Sequence, residues 1–333
     1  MGPRPGLAGT ACGGRPYDPG PVPIAVTILV AGLVLLMLGA DRFVVAAARI
    51  SHRLGVSPVL IGALVIGLGT SAPELLVSVL AAGRGEVDLA LGNVIGSNTA
   101  NMTLVLGAAA LVAPIVSKVA AIRREGFTMF IALGGISLLL WDLGLQRWEA
   151  AILAAAMLVA AALLIRWSPS ERGLGDVDLI PGEDVWRGSL GREITIGLGT
   201  LALTLLGADL LVRGASRLAE EAGISSAFVG LVIVSVGTSL PELATAIASA
   251  RRGETDLVLG NVVGSNLFNT LAVAGAAGLV RPGVVDPHFR NALVYMLVSG
   301  FIAGLFVLSS RSVARWQGAV LLCLFLGFVA IAV

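Results

Sequence analysis

Charged residues are scarce in this chain. They make up 13% of its 333 residues, whereas hydrophobic residues make up 56%. With a mean hydropathy of +0.94, the chain has too little polar surface to cover a water-soluble globule of this length. The net charge of +1 gives no reason to expect nucleic acid as a partner. We therefore predict an integral membrane protein that is surrounded by the lipid bilayer and needs no obligatory protein partner.

Cysteine and histidine are almost absent as well. Cys12 lies in a Gly/Pro-rich tail and Cys323 in the last apolar segment, while His52 and His288 lie in or beside loops. These positions exclude a disulfide framework and offer too few ligands for a zinc, copper or iron site. Since no mid-membrane histidine or cysteine accompanies the serines, the chain also lacks the nucleophile and base of an intramembrane enzyme. We predict a protein that is not an enzyme and has no cofactor.

Long apolar stretches make up most of the sequence. Residues 1–22 are rich in proline and glycine, which predicts a disordered tail. Ten stretches long enough to cross a bilayer follow, at 23–48, 57–82, 88–112, 126–144, 148–166, 193–216, 225–250, 256–279, 289–309 and 314–333. A polar connector at 167–191 divides them five and five. The predicted architecture is all-α, with one five-helix repeat at 23–166 and a second at 192–333.

Basic residues predict how these spans are oriented. If the N-terminus is outside the cell, thirteen arginine and lysine residues fall on the cytoplasmic side and seven on the other. By the positive-inside rule, both termini are extracytoplasmic and the connector is cytoplasmic. The abundance of arginine, alanine and glycine fits a bacterial genome, so we predict location in a bacterial inner membrane.

A segment of 33 residues occurs twice in the chain. Residues 69–101 return at 237–269 at a constant offset of 168, and twenty of the aligned pairs are identical. Because each half holds five spans, an odd number, the second copy must enter the membrane from the opposite side. The two copies are therefore predicted to be inverted repeats that form one site together.

Each copy begins with a polar motif, GTSAPE at 69–74 and GTSLPE at 237–242, inside an apolar span. Proline removes a helical hydrogen bond and the nearby glycine lets the backbone open, so we expect the second and seventh helices to break there. Glu74 and Glu242 then lie at membrane depth, where an ionisable residue is a candidate functional group. Hydroxyl groups three and four residues earlier share the face of each glutamate, namely those of Thr70, Ser71, Thr238 and Ser239.

Each copy ends in a helix with one polar face. Polar residues recur there every four positions, as Asn93, Ser97 and Asn101 in the third span and as Asn261, Ser265 and Asn269 in the eighth. The glycines between them should let helices pack closely; they are Gly92, Gly96, Gly260 and Gly264. All the candidate ligand atoms are hard oxygens, which suit Na⁺ or Ca²⁺.

Charge limits what such a site can hold. Burying a carboxylate at the bilayer centre costs roughly 3 kcal/mol. Two carboxylates about 5 Å apart repel by a further ~3 kcal/mol at an effective dielectric near 20. An empty site with both carboxylates ionised is therefore unfavourable. Two negative charges are balanced by one Ca²⁺ or two Na⁺, so we expect the two ions to compete for one site, as exchange requires.

The paired motifs, GTSAPE with GNVIGSNTAN and GTSLPE with GNVVGSNLFN, resemble the two alpha-repeats of the cation/calcium antiporter superfamily. The likeness to its prokaryotic sodium/calcium exchangers extends over all ten spans. It implies that helices 2, 3, 7 and 8 are broken and that spans 1 and 6 slide as a gate across the core. The ion ligands that it implies are Thr70, Ser71, Glu74, Ser97, Asn101, Thr238, Ser239, Glu242 and Ser265, to which we add Asn269, the counterpart of Asn101.

Two positions bear on the coupling ion. Potassium-dependent members of the superfamily have aspartate where this chain has Asn269, so the resemblance implies independence of potassium. Proton-coupled members carry a glutamate near Gly96 or Gly264, and the glycines here favour Na⁺. The predicted function is secondary active antiport of Na⁺ for Ca²⁺ by alternating access. The alternatives are the same fold driven by protons or moving Mn²⁺ or Mg²⁺, and a cation channel with the same site.

Other charged positions have structural interpretations. Asp41 and Asp209, also 168 residues apart, could line the gate, but we expect each to pair locally, Asp209 with Arg213. The loops RGEVD and RGETD are expected to be solvated turns in which Asp88 and Asp256 cap the next helix. The acidic connector lacks the spacing of an EF-hand loop, so no regulatory calcium site is predicted in it.

Overall fold

Helices account for most of the chain. The computed structural model describes residues 22–53, 70–116, 119–167, 189–253, 255–309 and 312–332. In the first half the helices are α1 (Val22–Arg53), α2 (Ala72–Arg84), α3 (Val87–Ala100), α4 (Leu106–Val112), α5 (Val119–Leu139) and α6 (Arg147–Trp167). In the second half they are α7 (Leu190–Ala222), α8 (Ser226–Phe228), α9 (Ser235–Thr238), α10 (Leu240–Arg252), α11 (Thr255–Phe268), α12 (Ala274–Val280), α13 (Phe289–Ser309) and α14 (Arg315–Ala332).

Several of these helices can cross a bilayer. Within the described residues, six helical segments are long and apolar enough, and a bent pair of helices makes a seventh. The six are Val22–Gly39, Val87–Val112, Leu190–Ala222, Val258–Val280, Phe289–Leu308 and Arg315–Ala332. The prediction of an all-α membrane protein is thereby confirmed. The number of ten spans stays a prediction, because residues 54–69, which include half of the second span, lie outside the part that the structure describes.

Helices α2 and α10 begin at the positions where proline was expected to break the second and seventh spans. In the seventh span the axis turns by 41° between Ser226–Thr238 and Leu240–Arg251. Pro73 and Pro241 do not lie inside a continuous helix. Each lies in the first turn of a new helix, α2 or α10, where the missing N–H is not needed.

The third and eighth spans differ from the prediction, because neither is broken. Each runs on through a π-helical segment, Asn101–Val105 between α3 and α4 and Asn269–Val273 between α11 and α12. A π-helical turn widens the helix locally and is frequent at functional sites. Both segments begin at the last asparagine of the polar face, so the backbone irregularity falls at the same position in each repeat.

Two short β-ladders tie the halves together. Strand β1 (Ile115–Val116) pairs antiparallel with β4 (Ser312–Val313), and β2 (Gly144–Leu145) pairs antiparallel with β3 (Gly283–Val284). At the offset of 168, β3 is the counterpart of β1 and β4 is the counterpart of β2. The ladder between β1 and β4 therefore corresponds to the ladder between β3 and β2. The halves are thus related by an approximate two-fold axis. The direction in which each half enters the membrane stays a prediction, and most of the connector, 168–188, is outside the described part.

The longest helices, α1 and α7, pack against each other in an antiparallel register. A Cβ atom added to Gly39 would lie 2.8 Å from the backbone nitrogen of Thr204, and one added to Gly207 would lie 2.7 Å from Cα of Leu36. These glycines let the two backbones touch along the length of the pair.

Helix α3 is enclosed by protein rather than lipid. Its residues 89–100 are all buried, and it packs against α2, the π-helical segment Val229–Val234, and α13. Polar side chains on this helix therefore face other helices, and their hydrogen-bonding groups must find partners there. This enclosure places the polar face of the third span in the centre of the protein.

Candidate ion-binding site

Two carboxylates lie at the centre of the molecule. Glu74 is in the first turn of α2 and Glu242 is in the first turn of α10, and both side chains are 0% exposed. Helix N-termini carry free N–H groups and a partial positive charge, which stabilise a nearby anion. The break before each proline therefore places a carboxylate beside the positive end of a helix.

Each carboxylate is hydrogen-bonded by a serine of the other repeat. The Ser71 hydroxyl donates to Oε1 of Glu242 at 3.1 Å, and the Ser239 hydroxyl donates to Oε1 of Glu74 at 3.2 Å. Both serines occupy the N-cap position of their helix, yet neither side chain caps its own helix. The two bonds are equivalent under the offset of 168, since each joins the serine of one repeat to the glutamate of the other. The N-terminal ends of α2 and α10 therefore meet at one site.

Asn93 connects the helix that carries Glu74 to the seventh span. Its amide nitrogen donates to the backbone oxygen of Glu74 at 3.3 Å and to Oγ of Ser78 at 3.0 Å, and its oxygen accepts from Thr238 at 3.1 Å. Asn261 donates in the same way to the backbone oxygen of Glu242, at 3.3 Å. The first asparagine of each predicted polar face thus holds the glutamate helix in place.

Several other buried polar atoms of the site have no hydrogen-bond partner in the described part of the chain. They are Oε2 of Glu74 and of Glu242, the hydroxyl of Ser265, and both side-chain polar atoms of Asn101 and of Asn269. Buried polar groups without partners are costly and rare. All five residues belong to the predicted ligand set, so each of them offers a buried oxygen to which a cation could bind.

These atoms come from elements that touch. The π-helical segment that begins at Asn101 packs against α10, and the segment that begins at Asn269 packs against α2. Each asparagine therefore lies beside the helix that carries the glutamate of the opposite repeat. Among the described residues, no group of three or more histidine, cysteine, aspartate or glutamate side chains could hold a metal ion. The charge of the site comes from two carboxylates alone.

The remaining predicted ligands lie around this centre. Thr238 and Ser239 end the first part of the seventh span, and both are buried. The hydroxyl of Ser97, 0% exposed, is 3.5 Å from the backbone oxygen of Ser235, to which it donates. Thr70 comes directly before Ser71 and is half-buried. The structure thus brings together residues of the second, third, seventh and eighth spans.

The comparison with known proteins agrees with this geometry. Residues 24–166 and 194–333 match the profile of the family described as sodium/calcium exchanger protein. The chain belongs to this family. It is 37% identical to a putative antiporter, CaxA of Alkalimonas amylolytica, over 92% of this chain and 97% of that one. It is 34% identical to the inner membrane protein YrbG of Escherichia coli, over 90% and 93%.

A solved structure of the family has a similar fold. It is that of the sodium-calcium exchanger NCX_Mj soaked with 10 mM Na⁺ and 10 mM Sr²⁺, which matches with a TM-score of 0.64 and 27% identity, covering 93% of this chain and 99% of that one. The resemblance to the prokaryotic exchangers of the cation/calcium antiporter superfamily is therefore confirmed, and the protein is an integral membrane antiporter of that superfamily rather than an enzyme.

Two buried asparagines of this exchanger-family site were missed. Asn98 donates to the hydroxyl of Thr270 at 2.9 Å, which joins the third span to the eighth, and Asn266 donates to the backbone oxygen of Val262 within its own helix. The side-chain oxygen of each asparagine has no partner within the described residues. Both residues are identical between the repeats, and that identity was the signal that could have identified them.

The glycines of the third span make the close contacts that were predicted. A Cβ atom on Gly96 would overlap the backbone oxygen of Leu231 and lie 2.5 Å from Oγ of Ser235, and one on Gly92 would lie 2.9 Å from the nitrogen of Leu231. For Gly260 and Gly264, the offset assigns the corresponding neighbours to residues 62–67, which lie outside the described part.

One local prediction was wrong. Asp88 does not cap its helix, since the N-cap residue is Glu86. Its carboxylate instead accepts a hydrogen bond from the backbone nitrogen of Asp286, at 2.9 Å, in the loop before α13. The exposed loop beyond it contains a second interaction, in which hydrogen bonds from the backbone N–H and the ring of His288 lower the pKa of Asp286.

Other local predictions have mixed outcomes. Asp209 pairs with Arg213, as predicted, at 2.8 Å. Cys323 is a free cysteine in the last span. The side chains of Asp41, His52 and Asp256, and the whole of the tail that holds Cys12, are outside the described residues.

Proposed function

We propose that this chain exchanges Na⁺ for Ca²⁺ at a single site between its repeats, by alternating access. The observation that carries the proposal is the set of buried oxygens that have no partner among the described residues: one oxygen of each glutamate, the oxygens of Asn101 and Asn269, and the hydroxyl of Ser265. Hard oxygen ligands with two negative charges suit Ca²⁺ and Na⁺. The family match and the named sodium-calcium exchanger of similar fold support the same ions.

Competition between the two ions follows from charge. The two carboxylates are neutralised by one Ca²⁺ or by two Na⁺, and a buried site that holds both kinds of ion in full would carry excess positive charge in a medium of low dielectric. The ligands for both are then Thr70, Ser71, Glu74, Ser97, Asn101, Thr238, Ser239, Glu242, Ser265 and Asn269. Binding of more than two Na⁺ for each Ca²⁺ would make the cycle electrogenic.

Flux in proteoliposomes tests the coupling. Vesicles that contain the full chain and are loaded with Na⁺ should take up radioactive Ca²⁺ when diluted into Na⁺-free buffer, and the uptake should stop when Na⁺ is equal on both sides. Choline in place of K⁺ should leave the uptake unchanged, because Asn269 supplies no third carboxylate. Uptake that ignores the Na⁺ gradient would remove the proposed coupling.

The same vesicles separate the rival functions. An ionophore that collapses the pH gradient should have no effect on an exchanger driven by Na⁺ but would stop one driven by protons. Uptake of Mn²⁺ or Mg²⁺ in preference to Ca²⁺ would identify that ion as the transported substrate. Single-channel currents through planar bilayers would identify a cation channel. We further propose a bacterial inner membrane as the location, with both termini extracytoplasmic, in line with the relative named as an inner membrane protein.

The first prediction concerns the glutamates themselves. Glu74→Gln removes one of two charges but keeps the shape of the side chain, so Ca²⁺ uptake should fall at least a hundredfold while the protein remains folded. Glu86→Gln is the charge-matched control, since Glu86 lies in the turn after the same helix, and it should transport like the original chain. Normal uptake by the Glu74 variant would refute the ligand assignment.

A further inference from the structure

An apolar cavity lies beside the ion site and contains none of its ligands. Its volume is about 250 Å³, and its walls come from α5, α11 and α13, from the π-helical segment Asn101–Val105 and from the start of α4. Every described residue that lines it has an apolar side chain or is glycine. A polar occupant would lose its hydrogen bonds there, whereas an apolar cavity of roughly 150 Å³ already stays dry and binds benzene. The cavity is therefore suited to hydrocarbon.

The cavity opens toward the lipid. Two of its lining residues are at the protein surface, since Phe127 on α5 is 67% exposed and Leu308 on α13 is 47% exposed. Its inner wall is closed, because Met102, Leu106 and Leu259 are at most 2% exposed. Helix α13 can cross the bilayer, so the mouth beside it faces acyl chains. A chain that enters the cavity stays in apolar surroundings along its whole path.

Two glycines of α13 bring neighbouring side chains against the cavity wall. A Cβ atom added to Gly300 would lie 2.8 Å from Sδ of Met102, and one added to Gly304 would lie 2.9 Å from Cζ of Phe130. The side chain of Met102 thus extends from the π-helical segment to the backbone of α13. Methionine is flexible and fills irregular space, so Met102 can adapt its shape to whatever occupies the cavity.

Ion ligands are close to two of these walls. Met102 directly follows Asn101, and Val263 on α11 lies between Asn261 and Ser265 in the sequence. Asn261 holds the second glutamate helix in place, while Asn101 and Ser265 offer buried polar atoms that have no partner among the described residues. An occupant of the cavity would therefore touch residues that are next to the ion ligands, or two positions from them, on both walls.

A cation lies near the mouth of the cavity. Arg124 is exposed and comes three residues before Phe127 in α5, which is roughly 5 Å nearer the start of the helix. Arginine pairs well with phosphate. A lipid with its chain in the cavity would place its phosphate beside Arg124, so this charge favours a phospholipid over plain hydrocarbon. A helix of another protein is about 10 Å wide, and one turn of it exceeds the cavity.

We propose that this cavity binds one acyl chain of a membrane phospholipid, and that the bound chain strengthens Ca²⁺ binding at the neighbouring ion site. The second part rests on the proposed function. The chain fills the space behind Met102 and so restricts the π-helical segment that carries Asn101. A segment that is already ordered loses less conformational freedom when an ion binds to it. The residues that line the cavity are positioning residues and do not touch the ion.

Photolabelling tests whether a chain enters the cavity. The full chain in nanodiscs is illuminated with a phosphatidylglycerol that carries a diazirine near the end of one acyl chain, and labelled residues are identified by mass spectrometry. The label should concentrate on the inner wall, at Met102 and Val263. A label spread evenly over the lipid-facing helices, with none at these two buried positions, would overturn the proposal.

Variants that fill the cavity sharpen this test. Gly126→Leu and Ala303→Leu add side chains from opposite walls, and each should reduce the label on the inner wall at least fivefold. Gly134→Leu is the matched control. Gly126 and Gly134 are half-buried glycines of α5 with no described atom within 4 Å of the Cβ position, but Gly134 does not line the cavity. It should label like the original chain. An undiminished label in both cavity variants would overturn the proposal.

The head group has its own test. Arg124→Gln should weaken labelling by phosphatidylglycerol about fivefold, the effect expected of one basic residue on an anionic lipid. Arg217→Gln, at an exposed position on α7, should leave it unchanged. If a photoreactive alkane without a head group labels the inner wall of the original chain equally well, any hydrocarbon fills the cavity and the choice of phospholipid is wrong.

Ca²⁺ binding tests the coupling to the ion site. In a steroid-based detergent, which supplies no alkyl chain, the lipid-free protein should bind Ca²⁺ about fivefold more weakly than after phosphatidylglycerol is returned, the lower end of coupling between sites. Gly126→Leu carries its own hydrocarbon into the cavity, so its Ca²⁺ binding should be tight with or without lipid. Gly134→Leu should depend on lipid like the original chain.

The outcomes separate this inference from the proposed function. Ca²⁺ binding by Gly126→Leu and Ala303→Leu that still depends on added lipid would overturn the coupling. Label on the inner wall that both variants remove, in a protein that binds no Ca²⁺ under any condition, would keep the lipid site and remove the proposed function.

Discussion

Asparagine side chains have two different roles in the site, although the sequence presents them alike. Asn93, Asn101, Asn261 and Asn269 occupy equivalent positions of the repeats, and the four-residue spacing predicted correctly that they share a helix face with serine. It could not separate those bonded to protein from those without partners. That difference depends on where the backbone oxygen of each glutamate lies, which is set by how the second and third spans pack and not by local sequence.

A pair of substitutions distinguishes the roles. Asn93→Ala should lower the free energy of unfolding by about 1–3 kcal/mol, because it leaves the bonded groups of Ser78, Thr238 and Glu74 without a partner. Asn101→Ala removes no side-chain hydrogen bond among the residues that the structure describes, so stability without Ca²⁺ should be unchanged or higher. Thermal unfolding in detergent, with and without Ca²⁺, measures both effects.

The Ca²⁺-dependent part of that measurement identifies the ligand. Added Ca²⁺ stabilises a protein that binds it only when folded, and this stabilisation should shrink strongly in Asn101→Ala. If Asn101→Ala lowers the stability of the ion-free protein as much as Asn93→Ala does, Asn101 has a structural role and is not an ion ligand.

Helix breaks were predictable to the extent that proline causes them. Pro73 and Pro241 predicted a helix start at these positions, and in the structure α2 and α10 each begin one residue before the proline. The third and eighth spans contain no proline, and the π-helical segments at Asn101 and Asn269 have no comparable sequence signal, since a π-helical turn is one extra residue accommodated by packing. The strands β1 to β4 were missed for a similar reason, because two residues are too few for an alternating pattern.

Contact between α3 and the seventh span gives an element-level prediction. Gly96→Ala would place a methyl group against the backbone oxygen of Leu231, so the helices must separate, at a cost of about 1–3 kcal/mol in the free energy of unfolding. Gly134→Ala is the control, because no atom of the described residues lies within 4 Å of its Cβ position; it should have no effect or stabilise slightly, since alanine favours helix. Equal unfolding temperatures for the two variants would contradict the close packing at Gly96.

At the scale of the whole molecule, the duplication was the most informative part of the sequence. It predicted that Glu74 and Glu242 would share one site, and the crossed bonds from Ser71 and Ser239 bring the two glutamates together. It could not predict how the halves dock, because docking depends on the antiparallel register of α1 and α7 and on two short ladders far from the motifs.

Charge balance across the two halves predicts how Na⁺ acts on Ca²⁺ binding. Because two Na⁺ carry the charge of one Ca²⁺, added Na⁺ should raise the Ca²⁺ concentration for half-saturation without lowering the amount bound at saturation. The effect should grow with about the second power of the Na⁺ concentration. Isothermal titration of the purified protein measures it, with choline as the control cation. A reduced maximum at constant half-saturation would indicate a separate Na⁺ site.

The serine bonds that cross between the halves have one more consequence. The serine hydroxyl that is hydrogen-bonded to each glutamate lies 171 or 165 residues away from it in the sequence. Neither half of the chain therefore contains a complete binding pocket on its own. Two separately translated modules would have to find each other in the bilayer before either could hold calcium, and complementation between such fragments would regenerate the pocket from halves that are individually inert.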